Sequence, residues 1–142
     1  MVTPQQVTLV QQSFELVKPI APAAAQLFYG RLFTLDPSLR ILFKGDMTQQ
    51  GNKLMTMIGA AVAGLRNLEK LAPVVRTLGA KHVGYGVRTE HYQTVGAALL
   101  WTLEQGLGEA FTPDMRDAWA ATYGLLADVM QVGAAEAVAA TV

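Results

Sequence analysis

Two histidines, His82 and His91, are the side chains of this sequence best suited to metal binding or acid–base chemistry, because the chain contains no cysteine. The lack of cysteine excludes disulfides, zinc fingers, iron–sulfur clusters, thiol catalysis and covalent attachment of a c-type cofactor. A zinc site built from protein alone needs three or four ligands. Two histidines in adjacent segments, with no obvious carboxylate companion, do not provide them.

His82 differs from His91 because it continues an apolar stripe. Leu71, Val75 and Leu78 precede it at helical spacing, so its imidazole is expected to point where those side chains point. An inward histidine is most often a hydrogen-bonded core residue. A neutral imidazole facing an apolar space is also what a single axial iron ligand looks like, with the other four ligands supplied by a porphyrin. The stripe alone leaves both interpretations open.

The elements that position these residues are predicted to be helices. Apolar side chains recur at spacings of three and four along the whole chain, and no segment alternates convincingly enough to be a strand. Three helix starts pair a capping residue with proline, at Thr3-Pro4, Asp36-Pro37 and Thr112-Pro113. We therefore predict an all-α protein of seven to eight helices with short connections. The alanine-rich residues 133–142 are either a last helical turn or a frayed tail.

Glycines also interrupt several predicted helices. Each costs roughly 1 kcal/mol relative to alanine, and close helix–helix approach at steep crossing angles is the expected compensation. The glycines concerned are Gly59, Gly64, Gly96 and Gly124.

Composition limits the classes of function. The chain has 142 residues, the size of one domain, and its eleven Lys+Arg balance eleven Asp+Glu. That balance argues against a nucleic-acid partner or an anionic membrane. No apolar run reaches a membrane span and no secretory signal is visible, so we expect a cytoplasmic protein. Yet 51% of residues are hydrophobic and only 15% are charged. Either much of the surface is apolar or the interior encloses something besides its own side chains.

With these features together, the sequence resembles the globin family, over about residues 5–130. It looks closest to bacterial single-domain haemoglobins, the globin part of flavohaemoglobins, and neuroglobin. The motifs that carry the resemblance are Leu27-Phe28-Tyr29-Gly30-Arg31-Leu32-Phe33, Leu42-Phe43, Lys53-Leu54-Met55, Leu78-Gly79-Ala80-Lys81-His82, His91-Tyr92-Gln93-Thr94-Val95-Gly96 and Ala118-Trp119-Ala120-Ala121-Thr122-Tyr123-Gly124. The resemblance implies a three-over-three globin fold in one domain, residues 1–142, around a non-covalent haem b.

On the proximal side, the resemblance makes His82 the iron ligand through Nε2, with Nδ1–H donating to the carbonyl of Leu78. Such a bond fixes the orientation and basicity of the ring. Phe43 matches the phenylalanine that stacks on the porphyrin, although it would be buried in an ordinary core as well. The further haem contacts that the resemblance implies are Leu54, Leu78, Val87, Tyr92 and Val95.

On the distal side, Gln50 matches the distal histidine of animal globins and Tyr29 the distal aromatic residue. Both side chains can donate hydrogen bonds to dioxygen, which gains negative charge when bound. Gln50 is a poor iron ligand, so the resemblance implies an open sixth position in the ferrous state. Leu54 would limit the ligand space. Lys53 matches a lysine that reaches the haem propionates, and a solvated surface lysine is the equal alternative.

His91 is predicted to be exposed. It is adjacent to Tyr92 in the first turn of a helix, and the stripe of Tyr92, Val95 and Leu99 makes Tyr92 the inward residue.

Three functions follow from the resemblance. The first is reversible binding of dioxygen, and of nitric oxide and carbon monoxide, as in oxygen transport. The second is nitric oxide detoxification by a dioxygenase with a separate reductase, because no flavin or nicotinamide segment precedes Val142. In flavohaemoglobins a late glutamate polarises the proximal histidine through a tyrosine, which favours oxygen activation. The resemblance matches that tyrosine to Tyr92 and the glutamate to Ala134, with Glu136 two residues on. The third is a haem-free sensor or interaction module, against which His82 and Phe43 argue. A monomer or weak homodimer is expected.

Overall fold

The computed structural model describes residues 2–140, which form six α-helices and three short 3-10 helices without a strand. The α-helices are α1 (Pro4–Val17), α2 (Ala21–Leu35), α3 (Met47–Ala63), α4 (Leu68–Gly84), α5 (Thr89–Leu107) and α6 (Pro113–Ala140). The 3-10 helices are Lys18–Ile20, Pro37–Leu42 and Gly108–Ala110. The all-α prediction is confirmed, and the number of helices depends on whether these short stretches are counted.

The three predicted helix starts are capped as expected. Thr3 forms a capping box with Gln6, in which each side chain accepts from the other residue's backbone N–H. The Asp36 carboxylate accepts from the backbone N–H of Ser38, and the Thr112 hydroxyl accepts from that of Met115. Side-chain caps satisfy backbone donors that have no partner inside the helix.

The alanine-rich end of the sequence belongs to α6 as far as Ala140. Of the two alternatives for this segment, the structure has the helical one for residues 133–140, while Thr141 and Val142 lie outside the described residues. Among the helices of residues 2–140, none combines the length and hydropathy that a transmembrane segment requires.

The helices pack around two apolar clusters. In the first, α1 lies against α6 and α3, with Val10, Phe14 and Trp119 almost fully buried. Trp119 Nε1–H donates to the hydroxyl of Ser13, 2.7 Å away, which satisfies a polar group inside this cluster. The second cluster lies where α2 packs on α5. Within the described residues α3 and α4 hardly touch each other, so the two helices that carry Gln50 and His82 are left apart.

Glycine allows the closest helix contact, between α4 and α6. A Cβ atom on Gly79 would lie 1.9 Å from the carbonyl oxygen of Met130, and one on Gly133 would lie 2.0 Å from that of Arg76. Backbone therefore lies on backbone at this crossing. A Cβ on Gly96 would approach the Tyr123 ring within 2.8 Å. The expected close approach holds at Gly96.

The other glycines inside the predicted helices, Gly59, Gly64 and Gly124, differ in how closely a neighbouring helix approaches them. A Cβ on Gly59 would meet the Phe14 ring at 3.3 Å, a close approach of the expected kind. Gly64 is the C-cap of α3 and lies near Leu71. A Cβ on Gly124 would have no neighbouring atom within 4 Å, so close packing does not explain this glycine.

Gly79→Ala is expected to destabilise the fold by about 1–3 kcal/mol or more, because the new methyl group must push α4 away from backbone atoms of α6. Gly124→Ala is the matched control, since it adds the same methyl group to a helix where nothing obstructs it. The control should be neutral or stabilising by up to about 1 kcal/mol. Urea unfolding of both variants measures the difference, and equal stabilities would show that the α4–α6 crossing is looser than described.

Candidate functional site

His82 lies in the last turn of α4, and its ring is already oriented by a backbone bond. Nδ1 is 2.7 Å from the carbonyl oxygen of Leu78, as the resemblance implied. A carbonyl oxygen only accepts, so Nδ1 carries the proton and donates. Nε2 is then the nitrogen with a free lone pair, which is the form that binds a metal.

The turn after His82 holds this end of α4 in place. The backbone N–H of Val87 donates to the carbonyl of His82 over 3.1 Å. Gly86 adopts φ +90°, a left-handed conformation that glycine adopts without steric cost. A Cβ on Gly86 would lie 3.2 Å from Leu42, so the α4–α5 corner rests on the end of the 3-10 helix Pro37–Leu42.

Tyr29 and Gln50 form a pair across α2 and α3. Tyr29 is buried in α2, and the Gln50 side chain, in the first turn of α3, interacts with its hydroxyl. Burial raises the pKa of Tyr29, and the interaction with Gln50 offsets this only in part. The hydroxyl therefore keeps its proton well above neutral pH and stays available as a donor.

Aromatic rings fix the position of Tyr29. Its ring centroid lies 5.1 Å from that of Phe28, 5.2 Å from that of Phe43 and 6.0 Å from that of Phe33. Edge and offset contacts at these distances each add a small stabilisation beyond area burial. The Tyr29 hydroxyl is thus presented by a rigid aromatic cluster.

The remaining predicted contacts differ in burial. Phe43, Leu54 and Val95 pack on the second apolar cluster but are only half-buried, and each keeps an uncovered side. Leu78 and Val87 are half-buried on the His82 side. Lys53 is exposed. Apolar side chains with one free face, from elements that do not close on each other, suit a large flat apolar molecule. Together with Nε2 of His82, these residues fit haem.

Tyr92 is buried in α5, where its backbone carbonyl accepts a 2.7 Å bond from the hydroxyl of Tyr123. Its own hydroxyl has no hydrogen-bond partner among the described residues. Glu136, the acidic residue nearest in sequence to Ala134, is exposed and pairs with Arg76 at 3.4 Å. No carboxylate of residues 2–140 therefore bonds to the Tyr92 hydroxyl.

The prediction that His91 is exposed is wrong, because only 6% of its surface is accessible. Its Nδ1 accepts a 2.9 Å bond from the backbone N–H of Arg88, just before α5 begins. A side chain that folds back over its own helix start is covered even when it lies off the apolar stripe. His91 and Tyr92 are therefore both buried, and His91 has a structural task.

His91→Ala is expected to lower stability by about 0.5–2 kcal/mol, the usual cost of losing a side-chain bond at a helix N-terminus. Haem content should stay at the level of the unmodified chain, because the bond lies outside the His82 turn. Thermal unfolding and haem absorbance, measured on the same preparation, separate the two effects. Loss of haem at unchanged stability would assign His91 to the haem site instead.

One residue near His82 was not identified from the sequence. The Tyr85 ring lies 5.6 Å from the His82 ring and is 60% exposed. Its position three residues after His82, one helical turn on, is the signal that could have revealed it. The described residues contain no group of three or more His, Asp or Glu side chains able to hold a metal by themselves.

Comparison with known proteins identifies the family to which this site belongs. The globin family model matches residues 26–130. The flavohemoprotein of Bordetella parapertussis is 38% identical over 133 residues, which cover 92% of this chain and 33% of that protein. The Vibrio cholerae flavohemoprotein is 31% identical over 91% of this chain and 34% of its own length. The chain thus spans about a third of the length of these curated relatives.

Solved structures agree with the sequence comparison. An engineered carbene transferase from Rhodothermus marinus, described as a candidate nitric oxide dioxygenase, superposes with a TM-score of 0.89 at 25% identity, over 99% of both chains. A bacterial globin from Campylobacter jejuni superposes with a TM-score of 0.82 over 94% of this chain and 97% of that one, and at 24% identity it shows the fold. By its sequence, its helices and its match over residues 26–130, this chain belongs to the globin family, whose cofactor is haem.

Proposed function

We propose that this globin reversibly binds dioxygen and other diatomic gases at a five-coordinate ferrous haem b. His82 serves as the proximal iron ligand, and Tyr29 and Gln50 stabilise the bound gas. We propose also that residues 1–142 form one globin domain that works as a monomer or weak homodimer. Sedimentation of the haem-loaded protein tests that last point.

The placement of Tyr29 on α2 beside Gln50 on α3 is the observation that carries this proposal. Two neutral polar groups that can donate hydrogen bonds lie on α2 and α3, and Tyr29 belongs to the apolar cluster on which Phe43, Leu54 and Val95 pack. A ligand that gains negative charge on binding is stabilised by such donors, and hydrogen bonds to charged groups contribute roughly 1.5–3 kcal/mol each.

Each residue has a separate task in this proposal. Haem supplies a ferrous iron that binds diatomic gases. His82 would hold that iron through Nε2, and the Leu78 carbonyl fixes the orientation of the imidazole ring. Phe43, Leu54 and Val95 exclude water from the gas site, which strengthens each hydrogen bond made there. Lys53 is exposed and able to pair with a haem propionate.

Equilibrium binding of dioxygen and carbon monoxide to the ferrous protein tests the proposal. We expect saturable binding of one gas molecule per haem, fully reversed by removing the gas. Dioxygen should dissociate slowly, since two donors hold it. Rapid and irreversible oxidation on first contact with dioxygen would contradict the proposal.

Nitric oxide dioxygenation with an external reductase is the second candidate function. The similarity to flavohemoproteins, and to a structure described as a candidate nitric oxide dioxygenase, supports it. Oxygen activation would be favoured by a carboxylate that polarises His82 through Tyr92. The Tyr92 hydroxyl has no partner among the described residues, and Glu136 pairs with Arg76 instead, so both observations argue against this activation. Sustained nitric oxide consumption with a native reductase tests it. A rate no higher than that of a myoglobin-like control would exclude it.

A further inference from the structure

An apolar pocket lies between α4 and α6, apart from the residues proposed to hold haem and gas. It is lined by four residues of α4, from Leu68 to Val75, and by three residues of α6, from Leu125 to Val129. None of these seven residues belongs to the proposed haem or gas site. The pocket has a volume of about 140 Å³, so it is a second space in which a small molecule could be enclosed.

The pocket exists because α4 and α6 diverge from a very tight crossing. At the crossing a Cβ atom on Gly79 or Gly133 would run into backbone atoms of Met130 or Arg76. All seven lining residues precede these positions on their own helices, so they face each other across the wedge that opens beside the contact. Because the backbone contact fixes the distance between the helices, the walls of the wedge do not close on each other.

The chemistry of the walls selects the kind of molecule that the pocket can take. The seven residues that line it in the described part of the chain are leucine, valine and alanine, which offer no side-chain nitrogen or oxygen. A buried water needs about two to four polar partners, whereas apolar cavities of about 150 Å³ stay dry and bind benzene. A polar molecule would lose its hydrogen bonds to water without replacement. The pocket therefore suits an uncharged hydrocarbon of about six carbon atoms.

The first turn of α4 provides an entrance to the pocket. Leu68 is 43% exposed, whereas Val75, farther along the same wall, is only 6% exposed. Within residues 2–140 the N-cap Asn67 makes no side-chain capping bond, and Pro73 lies inside the helix. Proline has no N–H to bond the carbonyl four residues earlier. Fewer hydrogen bonds hold this turn than the centre of the helix, so it opens at a lower cost in free energy.

We propose that the pocket between α4 and α6 is a binding site for a small uncharged hydrocarbon, such as a molecule with one aromatic ring. Leu68 forms the mouth of this site, and buried Val75, about two helical turns before His82, lies at its inner end. A bound hydrocarbon supplies the van der Waals contacts that the lining of an unfilled cavity lacks. The site needs no bond to iron, so this inference goes beyond the proposed gas binding.

Calorimetric titration of the carbon monoxide complex with benzene tests the proposal, because carbon monoxide fills the gas site throughout. We expect saturable binding of one benzene per chain. At about ten times its dissociation constant, benzene should raise the midpoint temperature of unfolding by a few degrees. Phenol is the matched control ligand, since it has the same ring and a hydroxyl that the walls cannot bond. It should bind at least about tenfold more weakly.

Substitutions that change the size of the pocket give a second test. Ala72→Leu fills the pocket and should weaken benzene binding at least about tenfold. Ala97→Leu is its matched control, since it adds the same atoms at an exposed position of α5 and should leave the affinity unchanged. Leu126→Ala enlarges the pocket and should shift the preference from benzene towards a longer molecule such as butylbenzene. This variant keeps the proposal testable where Ala72→Leu is unstable.

The infrared stretching band of bound carbon monoxide shows where benzene binds. The band responds to polar groups beside the gas, which are Tyr29 and Gln50 in the proposed function. Benzene between α4 and α6 should leave the band unchanged, whereas benzene in the gas site should shift it.

Several results would overturn the proposal. These are absence of saturable benzene binding, equal affinity for benzene and phenol, equal effects of Ala72→Leu and Ala97→Leu, an unchanged size preference in Leu126→Ala, or a shift of the carbon monoxide band on adding benzene. Each of them leaves the proposed function standing, because that function is tested by gas binding in the absence of benzene.

Discussion

Replacement of His82 by alanine is expected to abolish stable haem retention. Loss of a partner of a metal ligand costs roughly 10–100-fold in affinity, and loss of the proximal ligand itself should cost more. The purified His82→Ala protein should show little or no haem absorbance after gel filtration, while helix content by circular dichroism stays close to that of the unmodified apoprotein.

Two controls separate loss of a ligand from loss of structure. His91→Ala removes the other imidazole and is expected to keep its haem. Added imidazole should restore haem binding to His82→Gly, because the free ring occupies the space of the missing side chain. Retention of haem by His82→Ala at unmodified affinity would show that another residue holds the iron.

Tyr29→Phe is expected to raise the dissociation rate of dioxygen by one to two orders of magnitude. The change removes one donor to a ligand that carries negative charge, worth roughly 1.5–3 kcal/mol, and each factor of ten corresponds to about 1.4 kcal/mol. The ring remains in its cluster with Phe28 and Phe43, so packing is little changed. Stopped-flow replacement of dioxygen by carbon monoxide measures the rate.

The same measurement contains its own controls. Dissociation of carbon monoxide, which gains little negative charge, should change much less. Because burial keeps the pKa of Tyr29 above its usual value of 10.0, the rate of dioxygen dissociation from the unmodified protein should be constant from about pH 6 to about pH 9.

Gln50→Leu should also speed dioxygen loss. Since Gln50 and Tyr29 interact with each other, the effect of the double variant should differ from the product of the two single effects. An unchanged rate in Tyr29→Phe would remove Tyr29 from the gas site.

The sequence predicted the helices and the environment of His82 because both depend on local repeats. Apolar spacing and the three capped starts determine the helices, and the same spacing aligns His82 with Leu78. The helices could therefore be predicted almost completely, whereas their globin arrangement came from the resemblance. The roles assigned to Tyr29, Gln50 and Phe43 came from the resemblance, since a tyrosine and a glutamine twenty-one positions apart carry no periodic signal that brings them together.

The features that sequence reasoning missed depend on particular contacts. His91 is buried because Nδ1 bonds the backbone of Arg88, and a stripe of apolar residues does not report such a bond. Gly79 and Gly133 are needed because another helix backbone lies against them, whereas Gly124 faces no neighbour. Nothing in the local sequence distinguishes these glycines. Tyr85 is important only through its distance from His82.

An absorption spectrum of the purified ferrous protein, with and without dioxygen, tests the central claim most directly. The claim is that His82 supplies one axial ligand and that the other position is open to a gas beside Tyr29 and Gln50. It predicts a haem band with a five-coordinate, high-spin spectrum in the absence of gas, which shifts on adding dioxygen and returns on its removal. A low-spin spectrum with two axial protein ligands, or no haem band at all, would contradict it.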